Sequence, residues 1–159
     1  MISEGQVDSS PFTLRYGADR FLHVERGVRM VGINSNLIKY NDPSEAGQMD
    51  WMKNSLVKDR SDEVTIIFSH HPFFLKDIAE DDGYFQIQRD KRQEYFDVCT
   101  ELDVNALYAG HLHNNAEGLY EGIPVNTTTS VAFQIGPAHP SIRVITVQDG
   151  VITDELLNL

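Results

Sequence analysis

Four imidazoles in this chain arrive in two pairs: His70 and His71 within Ser69-His70-His71-Pro72, and His111 and His113 within Ala109-Gly110-His111-Leu112-His113-Asn114. Neutral imidazole is a good ligand for zinc, manganese or iron, so paired histidines at two points of one fold suggest a metal site whose ion the ligands alone do not select. Pro72 stiffens the chain just after the first pair and fixes the direction in which an imidazole leaves its strand. His111 and His113 stand at i and i+2, which on a regular strand points both side chains the same way, and Gly110 allows close backbone approach. His23 and His139 stand alone and are given no role. The chain has six histidines, so two thirds of its imidazoles fall in the two motifs.

Each motif follows a short apolar run. Val64 to Phe68 is continuous and rich in β-branched and aromatic residues, the mark of a strand buried on both faces, and Ala106 to Ala109 is a second such strand. Between them Tyr95, Val98, Cys99 and Leu102 recur at helical spacing, and Cys99 on that stripe reads as a packed core thiol. An acidic loop, Pro72 to about Gln88 with Glu80-Asp81-Asp82, connects the first motif to this helix; its length favours a functional part. Upstream, Phe12 to Tyr16, Arg20 to Glu25 and Val28 to Asn34 read as strands of an opening meander, with a tight turn at Arg26-Gly27. Asp42 is the expected N-cap of a helix with Pro43 at its first position, carrying Met49, Met52 and Leu56 inward beside Trp51. Downstream, Gly118 to Tyr120, Pro124 to Ser130, Ile142 to Val147 and Val151 to Leu156 read as strands, with turns at Glu121-Gly122 and Asp149-Gly150.

Bulk properties narrow the classes. The 159 residues are 41% apolar and 23% charged, a composition for one globular domain without repeats or linkers. A net charge of -11 argues against a nucleic-acid partner, although bound cations could still bring a small phosphorylated ligand to an acidic protein. Met1 to Ser10 has no apolar leader core and no run reaches membrane-spanning length, so a cytoplasmic protein with no membrane partner is expected.

A strand ending in His-x-Pro followed by one ending in Gly-His-x-His resembles the C-terminal half of the calcineurin-like metallophosphoesterase family. Gly32-Ile33-Asn34-Ser35-Asn36, the helix around Gln48-Met49-Asp50-Trp51, the acidic loop and the closing Ile142 to Asp154 segment extend the resemblance from about Phe12 onward. They point to the calcineurin-like phosphoesterase domain-containing, serine/threonine phosphatase branch. The resemblance implies an α/β (mixed α+β) fold, the C-terminal half of a four-layer αββα sandwich with mixed sheets and two main helices. It implies His70 and His111 as ligands of a second metal and His113 as a ligand of a first, with His71 and Asn114 supporting the ligands or touching substrate. In the complete family site two divalent or trivalent ions, manganese, zinc or iron, hold a bridging hydroxide that attacks phosphorus in line. The implied substrate is a phosphorylated small molecule or phosphoprotein.

The family's Asp-x-His, Gly-Asp-x-x-Asp and Gly-Asn-His motifs, which supply the bridging carboxylate, the amide ligand and the leaving-group histidine, do not occur in these residues. Residues 1–159 are therefore expected to be a partial domain without its N-terminal metal-binding half, with Met1 an internal start. Partial or no metal occupancy and no activity of the chain alone are the corresponding expectations, because three histidines without a bridging carboxylate do not position two ions. The Val64 to Phe68 and Ala106 to Ala109 strands would lose partners and present apolar edges open to homodimerisation. The alternative reading is a non-catalytic protein-interaction module on the phosphoesterase fold, for which retention of the metal histidines has no purpose. A mononuclear histidine enzyme would need a carboxylate near either cluster, and none stands at ligand spacing.

Overall fold

The computed structural model describes residues 10–59 and 63–159; the leader reading of Met1 to Ser10 falls, but for Ser10, outside them. Strands β1 (Phe21–Glu25) and β2 (Val28–Gly32) form a hairpin closed by Arg26-Gly27, both in left-handed backbone at φ 51° and 78°. Helices α2 (Ser35–Lys39) and α3 (Glu45–Leu56) follow, then β3 (Val64–Ser69), α4 (Arg89–Glu101) and β4 (Ala106–Ala109). The hairpin β5 (Ala116–Tyr120) and β6 (Ile123–Thr127) precedes a second hairpin, β7 (Ser141–Gln148) and β8 (Val151–Asn158).

Six strands make one mixed sheet in the order β1-β2-β3-β4-β6-β5, and β7-β8 form a separate sheet. The four inner strands run parallel, which brings the C-terminal ends of β3 and β4 side by side, with Ser69 opposite Ala109. Helix-facing Val31, Ile67, Leu107 and Val125 pack with Met52, Leu56, Phe73, Phe74, Tyr95 and Phe96 in the main core. On the other face Val64, Ile66, Ala106 and Tyr108 meet Ile145, Val147 and Ile152 of the small sheet. Side-chain alternation along parallel strands that are covered on both faces therefore produces the continuous apolar runs seen in the sequence. The result is the expected mixed α/β class, with a helix layer, a six-stranded sheet and a partial second sheet. Cys99 is buried, and its burial pushes the thiol pKa up to about 12.

Four expectations need correction. Phe12 to Tyr16 is not a strand but part of α1 (Ser10–Tyr16): Pro11 sits in a first turn, where its missing N–H costs nothing, and Phe12 and Tyr16 stack at i, i+4 with ring centroids 5.1 Å apart. No opening meander forms, because β2 turns from its hairpin partner to a parallel partner, β3. Asp42 does not cap α3. Its carboxylate accepts from the Ser44 N–H at 2.8 Å, a local turn that leaves Ser44 as the N-cap and Pro43 outside the helix. Finally, β3 and β4 are interior strands paired on both sides, so they present no open edges, and the edges of the sheet are β1 and β5.

Candidate metal-binding cluster

The two parallel strands end where the chemistry collects. Beyond β3 and β4 the Gly110 N–H donates to the His70 carbonyl at 3.1 Å, lacing the two histidine motifs together. One ring nitrogen each of His70, His71 and His111 lies within 4.8 Å of the others. His70 Nε2 and His111 Nδ1 share a hydrogen bond of 3.0 Å, and the rings of His71 and His111 sit 4.2 Å apart. His71, expected in a supporting position, is brought as close as the two expected ligands.

Each imidazole is braced differently. Ser35, fully buried at the start of α2, accepts from the His71 backbone N–H at 2.9 Å and bonds His71 Nδ1 at 3.2 Å. Ser69 Oγ–H donates to the His71 carbonyl at 2.9 Å. Ser35 is itself placed by Asn34, the N-cap of α2, whose backbone N–H and carbonyl are both clasped by the buried Gln48 amide of α3. His113 lies outside the three-imidazole group. Its Nδ1–H donates to the Phe133 carbonyl at 2.7 Å, which fixes the tautomer and leaves Nε2 as a lone-pair donor, the arrangement usual for a ligating histidine.

The backbone carrying His111 and His113 is not strand. Both residues are left-handed, at φ 62° and 51°, and the Leu112 N–H closes a tight turn onto the Gly110 carbonyl at 2.6 Å. Non-glycine residues there are uncommon and collect at functional sites, so the i, i+2 argument on a regular strand fails for a physical reason: the strand ends at Ala109.

Burial and mutual repulsion keep the cluster neutral. Burial lowers the His71 pKa to about 3, helped by the positive character that His111, His70 and Lys39 would bring. His70 and His111 are also lowered, burial first and neighbouring imidazoles second. Neutral imidazoles present lone pairs, so this donor set fits one divalent ion; among the described residues it includes no carboxylate to be shared by two.

The acidic loop is committed to its own architecture. The Glu80 carboxylate accepts from the Leu75 and Lys76 N–H groups at 2.8 and 3.1 Å, and Asp82 Oδ1 accepts from the Arg89 N–H at 2.6 Å at the start of α4. Arg92, fully buried, donates to the Ile87, Ile78 and Glu80 carbonyls at 2.8 to 3.0 Å. Lys39 Nζ donates to the carbonyls of Gly83, at 3.0 Å, and Gln86. Asn114 is half-buried, its Oδ1 accepting from the next residue's N–H at 3.0 Å. Ser35, Lys39, Arg92 and the loop aromatics were not singled out from sequence. Only the Asn34-Ser35 pair after a strand gave a local signal, that of a helix N-cap.

No family model matches the chain. It is 30% identical over 141 residues to the serine/threonine-protein phosphatase CPPED1 of Rattus norvegicus, covering 86% of this chain and 45% of that one. It is 31% identical over 147 residues to CPPED1 of Danio rerio, covering 87% and 46%. A probable cyclic nucleotide phosphodiesterase of Rhodococcus erythropolis is 29% identical over 111 residues, 67% of this chain and 35% of that protein. The chain thus spans about half the length of the curated relatives it matches. Among solved structures, GAP50, the anchor in the inner membrane complex of Plasmodium, has a TM-score of 0.56 at 14% identity, over 74% of this chain and 38% of that one, a likeness of fold alone. No helix among the described residues is long and apolar enough to cross a membrane.

Proposed function

We propose that this chain, similar to serine/threonine-protein phosphatases of which it spans under half, belongs to the calcineurin-like phosphoesterase family, and that its imidazole cluster is part of a metal-dependent centre that hydrolyses phosphate esters. The observation that carries the reading is the meeting of His70, His71 and His111 at the ends of two adjacent parallel strands. Open α/β sheets bind ligands at the carboxyl ends of their strands, which is where this cluster lies. The names of the relatives, a protein phosphatase and a cyclic nucleotide phosphodiesterase, share phosphoester hydrolysis and support that reaction class.

His70 and His111 would hold an ion through the nitrogens that now bond each other, with His71 braced by Ser35 beside them. His113, its Nδ1 committed to Phe133, would offer Nε2 to a second ion of a dinuclear site. Bound metal would supply charge to neutralise phosphoryl oxygens and to lower the pKa of a water nucleophile. The chain's own residues keep His70, His71 and His111 neutral and fix the direction of the ligand nitrogens through Ser35, Ser69 and the Phe133 carbonyl. The resemblance draws the leaving-group histidine from a motif that these residues lack, so the 159 residues alone are expected to turn no substrate over.

Titrating the purified chain with zinc or manganese tests the proposal. Binding at partial occupancy that weakens in His70→Ala and in His111→Ala is expected, and a wild-type chain that binds no ion overturns the metal centre in these residues and favours the interaction-module reading. Phosphatase turnover that His111→Ala abolishes would overturn the expected inactivity.

A further inference from the structure

Aromatic rings stand against two of the imidazoles. Tyr84 and Phe85 stand with ring centroids 6.1 and 5.8 Å from that of His111. The Phe133 ring meets His113 edge-on at 5.5 Å. Two of the three are open to solvent: Tyr84 is 78% exposed and Phe133 63%. Large exposed aromatics beside a polar cluster are costly to leave idle and are the usual material of ligand walls.

The first wall is held in place by unusual means. The Lys39 ammonium, itself buried, grips the carbonyls of Gly83 and Gln86, the residues immediately before and after the aromatic pair. Arg92 holds the same loop from Ile78 to Ile87, and the Gln86 side chain donates to Glu80 Oε1 and the Asp81 carbonyl at 3.2 Å. A solvent-exposed ring thus stands on backbone pinned on both sides, so little backbone freedom remains to be lost when a ligand stacks on it. Phe133 is located by two bonds of its segment to the histidine motif: its own carbonyl accepts from the His113 Nδ1–H, and the Ile135 N–H donates to the His113 carbonyl at 3.0 Å.

We propose that Tyr84, Phe85 and Phe133 are specificity-determining residues, and that the site takes phosphate esters whose alcohol part is a flat aromatic group. The phosphoryl end would lie on the imidazole cluster and the aromatic end against these rings. Ring faces give sequence-independent stacking and ring edges give T-shaped contact, and neither demands a hydrogen-bond code, so the selected feature is planarity and apolar area. The inference rests on the phosphoester reading above, which it refines by naming the ester's class.

Binding of two non-hydrolysable probes, phenylphosphonate and methylphosphonate, to the zinc-loaded 159-residue chain tests it. Phenylphosphonate is expected to bind about tenfold more tightly, the order of one good stacking contact. In Tyr84→Ala the preference is expected to fall to about twofold or less while methylphosphonate affinity stays as in the wild type. The substitution lies at an exposed side chain, and Tyr84→Leu serves as a second variant that keeps apolar area but removes the ring. Equal affinities for the two probes in the wild type, or a preference that survives Tyr84→Ala, overturns the aromatic wall while leaving the phosphoester reading standing. Failure of both probes to bind overturns both.

Discussion

Replacing Arg92 by methionine removes the charge that organises the loop between the histidine motifs while keeping most of the aliphatic stem. The guanidinium donates three bonds to the carbonyls of Ile87, Ile78 and Glu80, and its remaining nitrogen is buried 3.9 Å from Asp82. Bonds from a charged donor contribute roughly 1.5–3 kcal/mol each, about 4.5–9 kcal/mol in sum, and part of that is returned because the guanidinium no longer has to be dehydrated. A net loss of about 3–5 kcal/mol is the expected size for breaking one side of a buried charged network. In a chain of 159 residues, at about 2–4 °C per kcal/mol, the Tm would fall by roughly 6–20 °C. Urea unfolding followed by far-ultraviolet circular dichroism reads the free energy, and amide exchange reads the loop. The Leu75, Lys76 and Ile87 amides, now bonded to Glu80 and to the Pro72 carbonyl, are expected to exchange faster in the variant. A loss below about 1 kcal/mol with those amides still protected would refute the assignment of Arg92 as the loop's anchor.

Gly118→Ala would place a Cβ 2.6 Å from the buried Phe74 ring and 3.3 Å from the Lys76 carbonyl, so denaturant unfolding should show a loss of about 1–3 kcal/mol. Gly32→Ala meets only the half-exposed Phe21 ring, which can swing away, and should cost much less. Burial raises the pKa values of Tyr95 and Tyr108 above the ordinary 10.0, so their contribution is complete below pH 10 and is lost as pH rises past it. Tyrosinate absorbance should therefore show these two of the six tyrosines ionising only with unfolding. The Cys99 thiol, with its pKa raised to about 12, should resist alkylation at mildly alkaline pH until denaturant is added; rapid labelling of the native chain would refute its burial.

Much of the scaffold was legible because its signals are local. Continuous β-branched runs at β3 and β4, glycine turns at three hairpins and the Tyr95-Val98-Cys99 stripe each state their structure within a few residues. What escaped depends on distant partners. Nothing near Val64 tells that β2 will lie parallel on one side and β4 on the other, which is why open edges were expected where the sheet is in fact central. Helix α2 has five residues, too short for a period to show, yet it carries Ser35 and Lys39 to the site. Tyr84, Phe85 and Phe133 sit in loops without periodicity, and only the folded chain brings them to the imidazoles. The histidines themselves were readable as a type and spacing, but their left-handed backbone was not, since no glycine or asparagine at 111 or 113 signals it.

That backbone sets two demands against each other. Folding alone would choose glycine or asparagine at φ 62° and 51°, and a branched or ring-bearing side chain there costs on the order of 1 kcal/mol. Positions 111 and 113 therefore stand where stability and the retention of imidazole pull apart, the usual trade-off of a working site. A copy of this chain relieved of its chemistry would gain stability from the first substitution to glycine at either place. Drift would then erase the two histidines sooner than the buried strand that carries them.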